Sequence, residues 1–254
     1  MRCIWLASYP KSGNTYLRFL LYHYLFDRME STRQLKERIP DIHQMAADGV
    51  AFNPDGAGDL LIKTHFLFSD RHPYADLSAT FIYIIRNPRD VILSNSRYTG
   101  AGGGPDVDRR NFVLRFIRDR GVERWRDIGF GTWPGHVASW LQASESMPHL
   151  FIRYEDLITD TPAVLTRALT FLGCQIDTEK IAMAVAASSK DAMRKMEQRE
   201  RTQEDGPGVF AGQAEGNEFV GQGATGQSFS FLGDDIEELY QNTFARTAAL
   251  FGYA

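Results

Sequence analysis

The chain has 254 residues, of which 43% are hydrophobic and 24% charged, and these are the proportions of an ordinary soluble globular protein. They exclude a disordered, collagenous or coiled-coil chain. The net charge of −4 provides no overall basic field, so nucleic-acid binding is not expected. The two cysteines favour a reducing compartment, and no stretch reaches the roughly 18 apolar residues of a membrane helix. We therefore expect one domain over residues 1–254, located in the cytoplasm, with no integral membrane association.

Short apolar runs alternate with helical patterns in the first part of the chain. Residues 3–8 and 60–63 have the composition of buried strands. Between them, apolar and aromatic side chains recur at helical spacing, which predicts a helix that Asn14 or Thr15 can cap. The residues on this face are Leu17, Leu20, Leu21, Tyr24 and Leu25.

The alternation continues through the second half. Residues 80–85 and 150–153 are predicted strands, and Pro88 suits the first position of the helix that follows the earlier one. A further helix is predicted to begin at Thr161. The pair Asp234 and Glu237 resembles a capping box for a last helix.

Strands that alternate with helices indicate an α/β fold. We expect a P-loop-like three-layer arrangement, with a central, mainly parallel sheet flanked by helices. Residues 99–111 and 202–233 do not fit the alternation and are rich in glycine, so both are expected to be mobile loops. The second segment is too long for an ordinary connection between elements.

The segment that joins the first strand to the first helix has the composition of an anion site. Unpaired N–H groups at the helix start attract anions, and Lys11 adds a full positive charge. Gly13 permits close approach of the backbone, and Ser12 and Thr15 add hydroxyl groups. The segment is not a Walker A loop, because its lysine precedes its only glycine. The alternative is a simple strand-to-helix turn whose polar residues act as caps.

Two more groups of polar residues follow predicted strands, and the carboxyl ends of parallel strands meet at one edge of a sheet. His65, in the sequence Lys63-Thr64-His65, is a candidate general base, or simply a hydrogen-bonded surface histidine. Arg86 and Ser94 form a candidate phosphate clamp. The alternative is that Arg86 pairs with Asp90 or caps a helix.

Together these motifs resemble those of the sulfotransferases that use 3′-phosphoadenosine 5′-phosphosulfate (PAPS). That family's Tyr-Pro-Lys-Ser-Gly-Thr-Thr-Trp loop matches residues 9–16, and its Lys-Thr-His stretch matches residues 63–65. Its Arg-Asn-x-x-Asp segment with a following serine matches residues 86–90 and 94. Weaker matches cover residues 131–140 and 154–156, and order and spacing agree from residue 5 to about residue 195.

The resemblance implies PAPS as the donor co-substrate, no metal, and a role for each matching residue. The set implied to hold the 5′-phosphosulfate is Lys11, Ser12, Gly13, Asn14 and Thr15. Tyr16 would stack on adenine, which Tyr154 and Ser188 would also contact. Arg86 and Ser94 would bind the 3′-phosphate. His65 would be the base, with Lys11 and Lys63 stabilising the transferring group.

The chain departs from the family's pattern near its end. Where the family has Arg-Lys-Gly-x-x-Gly-Asp-Trp, residues 221–228 read Gly-Gln-Gly-Ala-Thr-Gly-Gln-Ser, so both cations are replaced. Gly221, Gln222 and Gly223 are still expected to bind phosphate through backbone N–H groups. Arg199 and Arg201 are candidate substitutes for the missing cations.

The sequence thus predicts transfer of a sulfuryl group to a hydroxyl, less readily an amine, of a small-molecule or natural-product acceptor. Two alternatives remain open at this point: an ATP-dependent small-molecule kinase, and a non-catalytic nucleotide-binding protein derived from a sulfotransferase. The acceptor and the oligomeric state are not predicted. Aromatic residues near the motifs either line an acceptor site or belong to the core, and they are Phe66, Phe68, Tyr98, Trp125 and Trp133.

Overall fold

A computed structural model describes residues 2–26, 28–47, 58–100, 106–202, 208–210, 220–221 and 223–253. The strands are β1 (Cys3–Ser8), β2 (Leu60–Thr64), β3 (Ser78–Ile85) and β4 (His149–Arg153). The helices of the first half are α1 (Asn14–Leu25), α2 (Thr32–Arg38), α3 (Ile42–Ala47), α4 (Pro88–Tyr98), α5 (Asp106–Asp119) and α6 (Glu123–Asp127). Those of the second half are α7 (Trp133–Ala143), α8 (Tyr154–Thr159), α9 (Thr161–Phe171), α10 (Thr178–Ala187), α11 (Lys190–Thr202) and α12 (Asp234–Ala249).

The four strands form one parallel sheet in the order β2-β1-β3-β4, which confirms the predicted α/β architecture. Trp5 lies in register with Ile62 on one side and with Phe81 on the other. The chain leaves β1 toward β2 on one side and leaves β3 toward β4 on the other. A crevice therefore opens beyond the carboxyl ends of β1 and β3, where parallel α/β sheets bind their ligands.

Helices cover both faces of the sheet. Side chains alternate along each strand, so Trp5 and Tyr83 pack with α4, α5, α7 and α12, whereas Leu6 and Ile82 pack with α1, α8, α9 and α10. Burial on both faces explains why these strands are nearly continuous apolar runs in the sequence.

The start of α1 differs from the prediction. Gly13, in a left-handed conformation with φ of 98°, occupies the cap position, and no side chain caps the helix. The Asn14 side-chain amide instead donates inward, to the carbonyl of Leu6 at 2.8 Å and to Ser8 Oγ at 3.2 Å. The expected cap by Asn14 or Thr15 is therefore wrong, because Asn14 satisfies the end of the neighbouring strand.

The expected capping box at α12 is also wrong. Gly233 is the cap residue, and no side chain makes the expected cap hydrogen bond. Glu237 pairs with Arg89 of α4, and Asp235 pairs with Arg110 of α5 at 2.6 Å. These acidic residues therefore tie α12 to other helices.

The two expected loops are only partly described. Residues 106–111 belong to α5, and residues 101–105 lie outside the described part of the chain. In the second segment, residues 203–207, 211–219 and 222 lie outside it. The described parts pack onto the protein through the buried side chains of Val209, Phe210, Phe229 and Leu232. Within the described residues, no helix combines the length and apolar character needed to cross a bilayer.

A buried histidine joins the sheet to the chain that leaves β2. His136 of α7 is fully buried, and its Nε2–H donates to the carbonyl of His65 at 3.1 Å. Its Nδ1 accepts from the Tyr83 hydroxyl at 2.8 Å. Burial lowers the pKa of His136 from 6.5 to about 3, so this ring is neutral.

His136 makes the stability of the protein depend on pH. The unfolded chain protonates this ring near pH 6.5 but the folded chain only near pH 3, so the unfolded state binds one more proton between those values. This contribution is complete above pH 6.5 and is lost as pH falls, by about 1.4 kcal/mol per pH unit. Urea denaturation between pH 4 and pH 7 gives the free energy of unfolding as a function of pH. In His136→Gln the slope of this free energy against pH is expected to fall by the equivalent of about one bound proton. His149→Gln, at an exposed histidine, is the control. An unchanged slope in His136→Gln would contradict the assignment.

Candidate functional site

A cavity of about 600 Å³ lies at the carboxyl edge of the sheet and receives residues from the ends of all four strands. The sequence-predicted residues that line it are Lys11, Gly13, Asn14, Thr15, Tyr16, Lys63, His65, Arg86, Ser94, Tyr154, Gly221 and Gly223. Ser12 and Ser188 are buried but are not among the lining residues. Gln222 lies outside the described residues.

The loop between β1 and α1 forms one wall and depends on glycine. A Cβ atom on Gly13 would lie 2.3 Å from Cδ2 of Tyr154, and the φ of 98° also disfavours any other residue. Lys11 has a positive φ of 71° as well, and its Nζ lies 4.3 Å from the ring centroid of Tyr98. The Ser12 Oγ is buried and has no hydrogen-bond partner among the described residues.

Several cations share this cavity. Burial, and then the charges of Arg86, Lys63 and Arg97, lower the pKa of Lys11 to about 8, against the opposing charge of Glu197. The low pKa means that holding the Lys11 charge in this position costs free energy. The cavity is therefore a region of positive potential.

Arg86 stabilises the loop between β1 and α1. Its Nη1 donates to the carbonyl of Lys11 at 2.9 Å, and its Nη2 donates to the carbonyl of Ala224 at 2.7 Å. The guanidinium lies 4.3 Å from the Tyr154 ring centroid, and its Nε is buried without an acceptor among the described residues. Arg86 thus makes neither of the alternative contacts, since Asn87 caps α4 by accepting from the N–H of Arg89 at 3.0 Å.

Asp90 holds the glycine-containing segment against α4. Its carboxylate accepts from the N–H of Gly226 at 3.0 Å, and from the N–H and Nε2 of Gln227 at 3.1 and 2.9 Å. These backbone N–H groups are therefore engaged by a carboxylate, while Gly221 and Gly223 line the cavity. The sequence did not indicate this use of Asp90, for which it offered only a possible pairing with Arg86.

His65 is held in one tautomer. Its Nδ1 lies 2.5 Å from the carbonyl oxygen of Ser8, which can only accept, so Nδ1 carries the proton. Burial first, and then the charge of Lys63, lower the pKa of His65 well below its usual value. The ring is therefore neutral, and Nε2 carries the lone pair.

Lys63 forms a largely buried ion pair with Asp41, the residue that precedes α3. Burial alone would raise the pKa of the Asp41 carboxyl, but Lys63 and the other neighbouring cations hold it well below its usual range. Asp41 also lines the cavity, and it accepts from the N–H of His43 at 3.1 Å. The sequence did not indicate that Asp41 belongs to the site. Its position before a short helix predicts only a cap.

The remaining wall is aromatic. Tyr98 and Trp125 line the cavity as one alternative expected, and Phe130 joins them. Phe66, Phe68 and Trp133 are not lining residues and pack with the core on that face of the sheet. Exposed Arg124 and the partly buried His43 also reach the cavity.

The remaining predicted residues lie in different surroundings. The Ser188 hydroxyl is buried without a partner among the described residues. Tyr16 lines the cavity while its hydroxyl lies 3.2 Å from Thr161 Oγ1. Arg199 and Arg201, the suggested substitute cations, are not among the lining residues, and Arg201 pairs with Glu197 at 2.6 Å.

Removing one partner of the Asp41–Lys63 pair leaves a buried charge without compensation. Asp41→Asn is expected to lower the free energy of unfolding by about 3–5 kcal/mol in urea denaturation at pH 7. The double variant Asp41→Asn/Lys63→Met removes both charges and is expected to be more stable than Asp41→Asn alone. A double variant as unstable as the single one would show that the loss does not come from the uncompensated lysine.

The sulfotransferase domain family model matches residues 2–252. Human sulfotransferase 2B1 is 29% identical over 199 residues, which cover 75% of this chain and 52% of the relative. Sulfotransferase 1A1 of Canis lupus familiaris is 27% identical over 198 residues, which cover 74% and 65%. The chain therefore spans about half to two thirds of the length of these curated relatives.

Solved structures share the fold at lower sequence identity. Mouse sulfotransferase SULT7A1, complexed with PAP, is 19% identical, has a TM-score of 0.66, and matches over 97% of this chain and 84% of its own. Retinol dehydratase in complex with androsterone and the inactive cofactor PAP is 17% identical, has a TM-score of 0.66, and matches over 98% and 81%. Because the family model extends from residue 2 to residue 252, the chain belongs to the sulfotransferase family.

Proposed function

We propose that this protein transfers a sulfuryl group from PAPS to a hydroxyl, less readily an amine, of a small-molecule acceptor. The observation that carries the proposal is the gathering of Lys11, Lys63, Arg86 and Arg97 in one cavity that also receives His65. Family membership supports it, as does the presence of PAP in the structures of mouse SULT7A1 and retinol dehydratase.

The residues present fit a polyanionic nucleotide. Ser12 Oγ and Arg86 Nε are buried polar groups without partners among the described residues, and such groups are costly unless a ligand satisfies them. Burial, and then repulsion from neighbouring cations, lower the pKa of Lys11, and a bound anion would relieve that repulsion. A volume of about 600 Å³ lies within the range of small-molecule sites.

The proposed contacts follow the strand ends. The loop from Lys11 to Thr15 would hold the 5′-phosphosulfate through helix-start N–H groups, Ser12 and Lys11. Arg86 and Ser94 would bind the 3′-phosphate, and Gly221, Gln222 and Gly223 would add backbone N–H groups. The residues proposed to contact adenine are Tyr16, Tyr154 and Ser188.

The proposed chemistry is in-line transfer. When bound, PAPS supplies the sulfuryl group and leaves as PAP. His65 accepts the acceptor's proton at Nε2, because its Nδ1–H is held by the carbonyl of Ser8. A bound anion raises the pKa of His65 from its lowered value, which makes the ring a stronger base. Lys11 stabilises charge on the leaving oxygen, and Lys63, oriented by Asp41, stabilises the sulfuryl oxygens.

The acceptor is proposed to lie against Tyr98, Trp125 and Phe130, which give the cavity an apolar wall. Retinol dehydratase was crystallised with androsterone and with retinol, both largely apolar alcohols. No metal is proposed, since the lysines supply positive charge. The two free cysteines, Cys3 and Cys174, accord with the cytoplasmic location proposed from the sequence.

Donor recognition is testable by calorimetry without an acceptor. PAP is expected to bind at least about tenfold more tightly than 5′-AMP, because a single charge-assisted contact to the 3′-phosphate contributes this much. ATP, with or without magnesium, is expected to bind more weakly than PAP. Tighter binding of ATP would favour the kinase alternative. Tight PAP binding with no transfer from labelled PAPS to any of a panel of phenols, alcohols and amines would favour the non-catalytic alternative.

The base assignment is testable once that panel yields an acceptor. His65→Ala is expected to lower kcat by about 10²–10⁴-fold, because proton removal loses its acceptor, while PAP affinity changes less than about twofold. His149→Ala, at the amino-terminal end of β4 and hence at the opposite edge of the sheet, is the control and should keep the full rate. Retention of the wild-type rate by His65→Ala would remove this residue from the reaction.

A further inference from the structure

The segment of residues 221–228 contains neither lysine nor arginine. Arg86 offers only part of its guanidinium to a ligand, since both of its terminal nitrogens donate to backbone carbonyls. A site for a doubly charged 3′-phosphate with these components alone would be short of positive charge. Another cation must lie within reach of Ser94 and Arg86 if the site is to be complete.

Arg97 meets that requirement. It follows Ser94 by three residues on α4, so both side chains lie on the same face of the helix, and both line the cavity. Arg97 is half-buried. Burial lowers its pKa, and the charges of Arg86 and then Arg109 lower it further, with Asp90 opposing them. Its surroundings are therefore already positive, as expected beside an anion site.

The side chain of Arg97 is held by a neutral group. Its Nη1 donates to Gln227 Oε1 at 3.3 Å. The other end of the same amide, Nε2, donates to Asp90 Oδ1 at 2.9 Å. Asp90 thus fixes the amide so that its oxygen faces Arg97. The guanidinium is oriented without being neutralised by this partner, which leaves its charge for a ligand.

We propose that Arg97 binds the 3′-phosphate of the donor nucleotide together with Ser94 and Arg86, in place of the cations that residues 221–228 lack, and that Gln227 is its positioning residue. The inference rests on the proposed function, because it assigns a residue to the same donor site. It replaces Arg199 and Arg201, which do not line the cavity.

The test compares PAP with 5′-AMP, two nucleotides that differ only in the 3′-phosphate. Their affinities are measured by calorimetry on wild type, Arg97→Met, Arg97→Lys and Arg118→Met. The last variant removes the same charge from an exposed position on α5 outside the cavity. Arg97→Met is expected to weaken PAP binding about 10- to 100-fold and AMP binding less than about threefold. Arg97→Lys should recover part of the PAP affinity, since it keeps the charge but loses the planar fork. Arg118→Met should change both affinities less than about twofold.

Gln227→Leu supplies the positioning readout. Loss of the amide is expected to lower PAP affinity by about three- to tenfold, through less orientation of Arg97, with AMP affinity unchanged. Because Gln227 touches no 3′-phosphate in this proposal, the effect should disappear in the Arg97→Met background. Persistence of the full Gln227→Leu effect in that background would overturn the positioning role.

The outcomes distinguish a failure of the Arg97 assignment from a failure of the proposed donor site. If wild type does not distinguish PAP from AMP, the proposed donor site itself is wrong. If wild type does distinguish them and Arg97→Met does so equally well, only the assignment of Arg97 is overturned. An equal loss for both nucleotides in Arg97→Met, with a lowered thermal unfolding temperature, would also overturn it and indicate a structural role.

Discussion

Repulsion among like charges at one edge of the sheet is the constraint on which the rest of this site depends. Lys11, Lys63, Arg86 and Arg97 all reach the same cavity, and each of the last three lowers the pKa of Lys11. Cations held close together in a partly water-excluded space cost free energy unless an anion joins them. The parallel sheet makes the arrangement possible, because it brings the segments that carry these residues to one edge.

The protein holds Arg86 and Arg97 with contacts that do not neutralise their charge. Arg86 donates to the carbonyls of Lys11 and Ala224, and Gln227 binds Arg97 through a neutral amide oxygen. Asp90, the nearby carboxylate, is occupied by backbone N–H groups and by the Gln227 amide. A direct Asp90–Arg97 ion pair would have cancelled the positive charge. Spacing the two groups with an amide keeps the geometry fixed and the potential positive.

The four strands and the helices α1, α4, α9 and α12 were predictable from the sequence. Burial on both faces leaves apolar runs in the strands, and helical periodicity leaves a pattern within a single segment. The motifs at the strand ends were predictable for the same local reason. The contacts of Asp41 with Lys63 and of Arg97 with Gln227 were not, since they join residues 22 and 130 positions apart. The failed cap at Asn14 has a similar cause: local rules predict a cap, but a carbonyl on β1 competes successfully for the amide. Arg86 both stabilises the loop and is a candidate ligand group. The first role could not be predicted, because it includes a hydrogen bond to the carbonyl of Ala224, which is distant in the sequence.

Lys63 and the two arginines of the site have different partners, and this difference bears on the chemistry. Lys63, near the end of β2, has a buried carboxylate partner in Asp41, so this pair is close to neutral. Arg86 and Arg97, which follow β3, have backbone carbonyls and an amide as hydrogen-bond partners. In the order β2-β1-β3, positive charge therefore increases across the edge of the sheet from the side of His65 toward β3. A donor with a singly charged sulfuryl group at one end and a doubly charged phosphate at the other complements this distribution. Its negative charge increases from the sulfuryl group to the phosphate. This electrostatic match favours placing the reacting group beside His65 and the 3′-phosphate beside Arg97, in one orientation over the reverse.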